Sequence, residues 1–181
     1  AKTQVKPKNF KVDFGLVNNA TQKLIPLRKV TGENNVFRTT APLKAGDEFK
    51  VLVTNNLECN IYVFNEEANG ESNVLFPYTE KHSPYCGITG TRLFPKDYSM
   101  KLDAVGNRDR IAVVVTKTDI DYNEVKDLIN KSRQKEFVDR VNEVLANVLD
   151  KNVRFQAGDA VSFEGSITGD KAVAMIIEVD K

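Results

Sequence analysis

The sequence has few of the residues that build metal or redox centres. It contains two cysteines, one histidine and no tryptophan, so the chain cannot by itself supply the four His and Cys ligands of a zinc site. The longest uninterrupted apolar run is residues 172–177, whereas a membrane-spanning helix needs about 20 apolar residues. Basic and acidic residues number 26 and 25, a balance that removes the main driving force for nucleic-acid binding. We therefore expect no metal site, no transmembrane segment and no nucleic-acid partner.

The motifs of common catalytic and nucleotide-binding sites are also missing. The chain has no phosphate-binding loop of the G-x-x-x-x-G-K-[ST] type and no G-x-S-x-G nucleophile motif. Any Ser-His or Cys-His catalytic pair would have to use His82, the single histidine. Pro84 lies between His82 and Cys86 and prevents the regular helix that would place both on one face. The sequence predicts a protein that is not an enzyme and needs no cofactor, with a thiol-dependent hydrolase using Cys86 and His82 as the alternative.

The two cysteines leave two alternatives open. A disulfide between Cys59 and Cys86 would close a 27-residue loop and stabilise the fold by about 3.5 kcal/mol in an oxidising compartment. Two free thiols fit the sequence at least as well, because spacing alone does not place two Cα atoms within bridging distance.

Most of the chain has the pattern of β-strands. Valine, with 22 residues against 12 leucines, favours strands because β-branched side chains pack well on a pleated surface. Apolar and polar residues alternate over much of residues 10–118, which predicts a β-rich core with strands that include 61–64, 74–76 and 98–102. Asn69-Gly70 supplies the positive φ angles of a turn, so the first two of these strands are predicted to form a hairpin.

In residues 121–150 the apolar residues recur with a different period. This segment contains no Gly or Pro, and its apolar residues recur at spacings of three and four, which predicts a helical insertion. Asp121 and Glu124 have the spacing of a capping box at its start. The polar stretch 130–136 interrupts the apolar stripe, so two helices broken near Ser132, a good N-cap residue, and one long kinked helix both fit.

The last part of the chain returns to strands. A C-terminal β-hairpin is predicted within residues 153–181, because apolar and polar residues alternate from Val161 and again at 173–179, with a Gly169-Asp170 turn between the two runs. These strands are expected to rejoin the core. Strands followed by helices, without β-α-β units, predict an α+β, mainly β fold. We expect a single domain over residues 1–181 with an antiparallel, β-sandwich-like and immunoglobulin-like core.

A long connection in the β-rich region is the candidate binding site. Residues 78–92 lie between two identical tripeptides, Leu75-Phe76-Pro77 and Leu93-Phe94-Pro95, each an apolar segment that ends at a proline unable to continue a strand ladder. Connections of this length in a compact domain are often binding loops. This one contains residue types that are enriched at interfaces. The candidate binding residues are Tyr78, His82, Tyr85 and Arg92.

About residues 43–121 resemble a known bacterial family. The similar segments are Leu43-Lys44-Ala45-Gly46-Asp47-Glu48-Phe49, Ile61-Tyr62-Val63-Phe64-Asn65, Gly70 leading into Val74-Leu75-Phe76-Pro77, and Leu93-Phe94-Pro95. The family is a bacterial domain of unknown function that trails caspase-like peptidase domains or serine/threonine kinase domains and also occurs as stand-alone exported proteins. Neither of those catalytic domains precedes the resemblance in this chain, and it transfers no catalytic residue.

The resemblance implies a function in the cell envelope. We expect an accessory or interaction module that is periplasmic or extracellular and contacts a protein or glycan partner. A regulatory domain for a separate peptidase or kinase is a further alternative. Because residue 1 is Ala rather than Met, we expect a mature or trimmed chain from which any leader has been removed.

Overall fold

The strands and helices follow the sequence periodicity closely. The computed structural model describes residues 10–87, 90–165 and 170–181. Within these ranges the strands are β1 (Phe10–Asn18), β2 (Leu24–Ile25), β3 (Leu27–Lys29), β4 (Val36–Thr39), β5 (Glu48–Asn55), β6 (Cys59–Glu66), β7 (Ser72–Phe76), β8 (Tyr85–Cys86), β9 (Gly90–Phe94), β10 (Met100–Lys101), β11 (Arg108–Thr116), β12 (Arg154–Gln156), β13 (Val161–Gly165) and β14 (Ala172–Asp180). The helices are α1 (Tyr122–Lys131) and α2 (Phe137–Leu145).

The fold is mainly β and contains two sheets, in which the order of the strands differs from their order along the chain. Sheet A has the order β10-β5-β1-β13-β12, with β2 paired to β1 and β9 paired to β5. Sheet B has the order β3-β4-β14-β11-β6-β7, with β8 paired to β6. Strands from the end of the chain therefore pair with strands distant in sequence: β13 pairs with β1, and β14 pairs with β11 and β4.

Sheet A buries one face. In β5, Phe49, Val51 and Val53 are buried, whereas Lys50 and Leu52 between them are partly exposed. Because successive side chains of a strand point to opposite faces, this alternation gives the sheet one apolar and one solvated surface.

The central strands of sheet B are buried on both faces. In β6, Ile61 and Val63 belong to a large hydrophobic cluster that also contains the buried residues of sheet A. Tyr62 and Phe64, on the opposite face, belong to a second cluster that includes residues of α1 and α2. The apolar runs of β6, β11 and β14 are continuous for this reason, since neither face contacts solvent.

The helical insertion consists of two helices. The Asp121 side chain accepts a hydrogen bond from the backbone N–H of Glu124 at 3.0 Å, which confirms the predicted cap. Of the two alternatives, the structure has the two helices with the break near Ser132, but Ser132 ends α1 rather than capping the second helix, and its N–H donates to the carbonyls of Leu128 and Ile129. The second helix begins after Glu136, which makes no side-chain capping bond.

The hairpin predicted at Asn69-Gly70 is confirmed. Strands β6 and β7 pair antiparallel, and Gly70 has a φ of 85°. A residue with a side chain would be strained at this φ, so glycine is required in this turn.

The predicted C-terminal hairpin is wrong. Strands β13 and β14 lie in different sheets, and the predicted turn residue Gly169 lies outside the described residues. Buried residues follow one another along β14, which suits the doubly covered centre of sheet B, whereas β13 alternates and suits sheet A.

The expectation of a purely antiparallel, immunoglobulin-like core also needs correction. Strand β4 pairs with β14 in parallel, with Phe37 opposite Ile177. Within the described residues each sheet contains seven strands and sheet B carries a helical layer, whereas immunoglobulin domains have seven to nine antiparallel strands in total. A short strand such as β4 carries no local signal of the direction in which it pairs.

Candidate functional site

The two Leu-Phe-Pro tripeptides meet in the structure. The first ends β7 in sheet B and the second ends β9 in sheet A. The rings of Phe76 and Phe94 contact each other with centroids 4.5 Å apart, and both following peptide bonds to proline are cis. Because each strand ends at its proline, the two segments that follow leave the sheets next to each other.

These two segments and the end of β7 form a small aromatic pocket, which we call the aromatic corner. It has a volume of about 250 Å³. Its lining residues are Val74, Leu75, Tyr78, His82, Asp97 and Tyr98.

Ring contacts and hydrogen bonds hold the aromatic corner together. Tyr78 packs edge-on against Phe76, with ring centroids 5.1 Å apart, and against His82 at 5.3 Å. The Tyr78 hydroxyl accepts a 2.6 Å hydrogen bond from the backbone N–H of Lys96, which joins the two segments directly. His82 Nδ1 lies 2.9 Å from Thr79 Oγ1. Burial is the main cause that raises the pKa of Tyr78 above its ordinary value, so its hydroxyl stays protonated at neutral pH.

Tyr98 is the exposed member of the aromatic corner. Its side chain is 57% exposed, although it belongs to one of the largest residue types. The alternating pattern predicted a strand over residues 98–102, but β10 includes only Met100 and Lys101, and Tyr98 lies in the turn before it. The repeated tripeptide could have revealed this residue, because it predicts a strand end and a loop at both places.

Two of the four predicted binding residues lie elsewhere. Tyr85 is on β8, where its hydroxyl donates a 2.5 Å hydrogen bond to Glu58. Arg92 is on β9 and donates from Nη1 to Asn55 Oδ1 at 2.9 Å. The predicted connection 78–92 therefore contains parts of two strands, and only Tyr78 and His82 line the aromatic corner.

The environments of the two cysteines differ from that of an activated thiol. Cys59 and Cys86 are both buried with free thiols. Burial raises the pKa of Cys59 from 9.0 to about 12 and also raises the pKa of Cys86, whereas a reactive thiol needs a lowered pKa. His82 contacts Tyr78 and Thr79. These environments give no support to the thiol-dependent hydrolase that uses Cys86 and His82.

A row of charged residues, which we call the charge ladder, crosses sheet B. It consists of Arg38, Glu178, Arg110, Glu66 and Arg140. The first four are directly opposite one another on β4, β14, β11 and β6. The ion-pair distances are 2.7 Å for Arg38–Glu178, 3.1 Å for Arg110–Glu178 and 2.9 Å for Arg110–Glu66.

The charge ladder ends on the second helix. Arg140 of α2 pairs with Glu66 and donates to the carbonyl of Gly70. Its side chain is 9% exposed and that of Glu66 is 14% exposed, so the contact joins the helix to sheet B and to the β6–β7 turn. The amino-acid sequence alone did not predict the charge ladder, because which charged residues lie opposite one another depends on strand register.

A larger groove, of about 970 Å³, lies beside the end of α2. Its lining includes the basic residues Lys151, Arg154 and Lys171 and the acidic residues Asp150 and Glu164. Charges of both signs line an open and polar surface, so this groove defines no single ligand chemistry. The aromatic corner combines apolar, aromatic and ionisable groups and is the better candidate site.

Residues 10–87, 90–165 and 170–181, which the structure describes, contain neither a metal-ligand cluster nor a membrane-spanning helix. No group of three or more His, Cys, Asp or Glu residues in these ranges could hold a metal ion. None of the helices in the same ranges has the length and apolar character required to cross a membrane.

These features define a mainly β protein with a helical layer on one sheet and an exposed aromatic corner where strands of both sheets end. Residues 42–119 match the model of a family described as "Domain of unknown function (DUF4384)", which confirms the resemblance predicted from the sequence. The match includes both cysteines, both Leu-Phe-Pro tripeptides and the aromatic corner, and it ends before α1. No curated protein and no solved structure matches the chain.

Proposed function

We propose that this protein is a non-catalytic interaction module of the bacterial cell envelope and that the aromatic corner binds a segment of a partner protein. The observation that carries the proposal is the position of Tyr98, which is 57% exposed at the edge of a preformed pocket. Tyrosines that partners bury beside such pockets are often the residues that contribute most to binding.

The size of the pocket favours a protein segment as the ligand. Its volume of about 250 Å³ is below the roughly 300–1,000 Å³ of typical small-molecule sites. A pocket of this size accommodates one side chain of a partner, while Tyr98 contacts the chain around it. A glycan that stacks on Tyr98 is the second ligand class, and the same experiment separates the two.

The rigidity of the aromatic corner supports binding. The hydrogen bond from Lys96 to Tyr78 and the packing of Phe76 on Phe94 fix the two segments before a partner arrives. A preformed site loses less conformational entropy on binding than a flexible loop does.

A β-sandwich is the finer fold that we propose for the module. It is supported by the hydrophobic cluster that takes buried residues from both sheets, such as Phe14 and Val51 of sheet A with Val113 and Met175 of sheet B. Two sheets that share such a cluster pack face to face.

The envelope location is supported by the family resemblance alone. We expect the native protein in the periplasmic or extracellular fraction of its source cells. Recovery of all of the protein in the cytoplasmic fraction would refute this part of the proposal.

The test places a photo-crosslinking amino acid at position 98 and, in a second sample, at position 85. Tyr85 is a matched control because it is 55% exposed but outside the aromatic corner. We expect one partner protein to be crosslinked from position 98 and not from position 85. With the purified partner, Tyr98→Ala should weaken binding by about 30-fold, which corresponds to the roughly 2 kcal/mol of an interface anchor.

The outcomes separate the alternatives. Equal losses for Tyr98→Ala and Tyr85→Ala, with both variants folded by circular dichroism, would refute the aromatic corner as the binding site. Binding of envelope glycans that depends on Tyr98 would assign the ligand to the second class. A captured peptidase or kinase whose rate changes on mixing would identify the module as its regulatory domain.

A further inference from the structure

The two cysteines lie directly opposite each other on neighbouring strands. Strands β6 and β8 pair antiparallel, with Cys59 opposite Cys86. The backbone N–H of Ile61 donates to the carbonyl of Pro84 at 2.9 Å, which identifies the 61/84 pair as a hydrogen-bonded pair. Hydrogen-bonded pairs recur every two residues, so the cysteines occupy the next such pair, where Cα atoms are about 5.5 Å apart.

This geometry suits a disulfide bond. Bridged cysteines have Cα atoms about 4.4–6.8 Å apart. Directly opposite residues also point to the same face of a sheet. Cys59 and Cys86 are each 2% exposed and belong to the same hydrophobic cluster, so both side chains enter the same part of the core.

We propose that Cys59 and Cys86 form a cross-strand disulfide that fixes β8 to β6. The two thiols exchange with one external low-molecular-weight disulfide, such as oxidised glutathione. A mixed disulfide forms first, and the second cysteine then attacks it. The sum is one protein disulfide and two released external thiols, so the two electrons and two protons go to the external disulfide.

The bond would stabilise the connection that carries part of the aromatic corner. β8 has only two residues, Tyr85 and Cys86, and it follows the segment that contains Tyr78 and His82. β6, by contrast, lies inside sheet B between β11 and β7. A covalent bond between them would hold this connection to an inner strand of sheet B.

Burial determines when the bond forms. Thiolates attack disulfides and thiols do not, and burial raises the pKa of both thiols. We therefore expect exchange during folding, or when β8 detaches, to be faster than exchange in the folded protein.

The experiment uses the full chain and counts thiols. The protein is unfolded, refolded in glutathione buffers of increasing oxidised-to-reduced ratio, unfolded again and alkylated with N-ethylmaleimide. Intact mass spectrometry should show a change from two adducts to none, with the species carrying one adduct or one glutathione always minor. Two adducts at every ratio, a stable glutathione adduct or a disulfide-linked dimer would overturn the proposal.

A stability measurement adds a second criterion. Closing a 27-residue loop should lower the unfolding equilibrium constant about 400-fold and raise the melting temperature by about 10 °C. The Cys59→Ala/Cys86→Ala variant should melt at the same temperature in oxidising and reducing buffer. A bridged protein that melts no higher than the reduced wild-type protein would overturn the proposal. If the double variant does not fold, the thiol count by mass spectrometry still tests the proposal, because it uses only the wild-type chain.

Discussion

Replacing Glu66 with Gln tests whether the charge ladder joins α2 to sheet B. Glu66 accepts from Arg110 at 2.9 Å and also from Arg140. The substitution keeps the shape of the side chain and removes its charge, so two arginines then face a neutral amide. Removing one partner of a buried ion pair typically costs 3–5 kcal/mol. Because Glu66 is 14% exposed, we expect the lower end of this range, about 3 kcal/mol.

The assay is urea unfolding followed by circular dichroism. With a slope of about 2 kcal/mol per molar urea, the expected loss lowers the unfolding midpoint by about 1.5 M. Glu71→Gln is the matched control, because Glu71 is an exposed acid near the same turn, and its free energy of unfolding should stay within about 0.5 kcal/mol of the wild-type value.

A double variant separates the ion pair from other effects of the substitution. Arg140→Met removes the buried positive charge and keeps an apolar side chain beside Phe137, whose ring lies 5.7 Å from the Arg140 guanidinium. If the pairing argument is right, Glu66→Gln should cost clearly less in the Arg140→Met background than in wild type. Equal midpoints for Glu66→Gln and Glu71→Gln would refute the reasoning.

The remaining predictions concern the buried thiol and the helical layer. In the reduced protein the folded-state pKa of Cys59 is about 12, above its ordinary value of 9.0, so the free energy of unfolding should fall as pH rises from 9, by up to about 1.4 kcal/mol per pH unit. Urea titrations of the reduced protein should show a shallower pH slope for Cys59→Ala, and equal slopes would contradict the prediction. Phe137→Ala should cost about 3–5 kcal/mol because Phe137 is 1% exposed. Leu128→Ala, at a position of α1 that is 44% exposed, should cost less than about 1 kcal/mol by the same urea assay. A loss for Phe137→Ala as small as the loss for Leu128→Ala would contradict the packing of α2 on sheet B.

The local structure was largely predictable from the sequence. Alternation located the long strands, the change of period located the helices, and Asp121 and Asn69-Gly70 marked a helix start and a turn that the structure confirms. Each of these signals acts within a few residues, because side-chain direction repeats every two residues in a strand and every 3.6 in a helix.

Pairing between distant segments was not predictable in the same way. The run 173–179 has the same local pattern whether it pairs with β13 or, as observed, with β11 and β4. This run lies at the centre of sheet B because its side chains are buried on both faces. That burial depends on where the helices pack, which the local pattern does not show. The direction of β4 is decided by the same long-range packing.

In the candidate site, too, local features were predictable from the sequence and contacts between distant segments were not. The two Leu-Phe-Pro tripeptides were visible in the sequence as the ends of two strands, and Tyr78 and His82 of the predicted loop contact each other in the structure. Tyr98 joined them only because β7 and β9 end side by side in different sheets. Tyr85 and Arg92 were separated from them because short strands β8 and β9 pair elsewhere.

The sequence by itself determined the mainly β character, the helix start, the β6–β7 turn and the family match, since all of these depend on residues close together in the chain. The tertiary structure alone decided that Cys59 faces Cys86 and that Glu66 lies between Arg110 and Arg140. Such contacts depend on strand register, and a shift of one residue would turn every side chain of a strand to the opposite face.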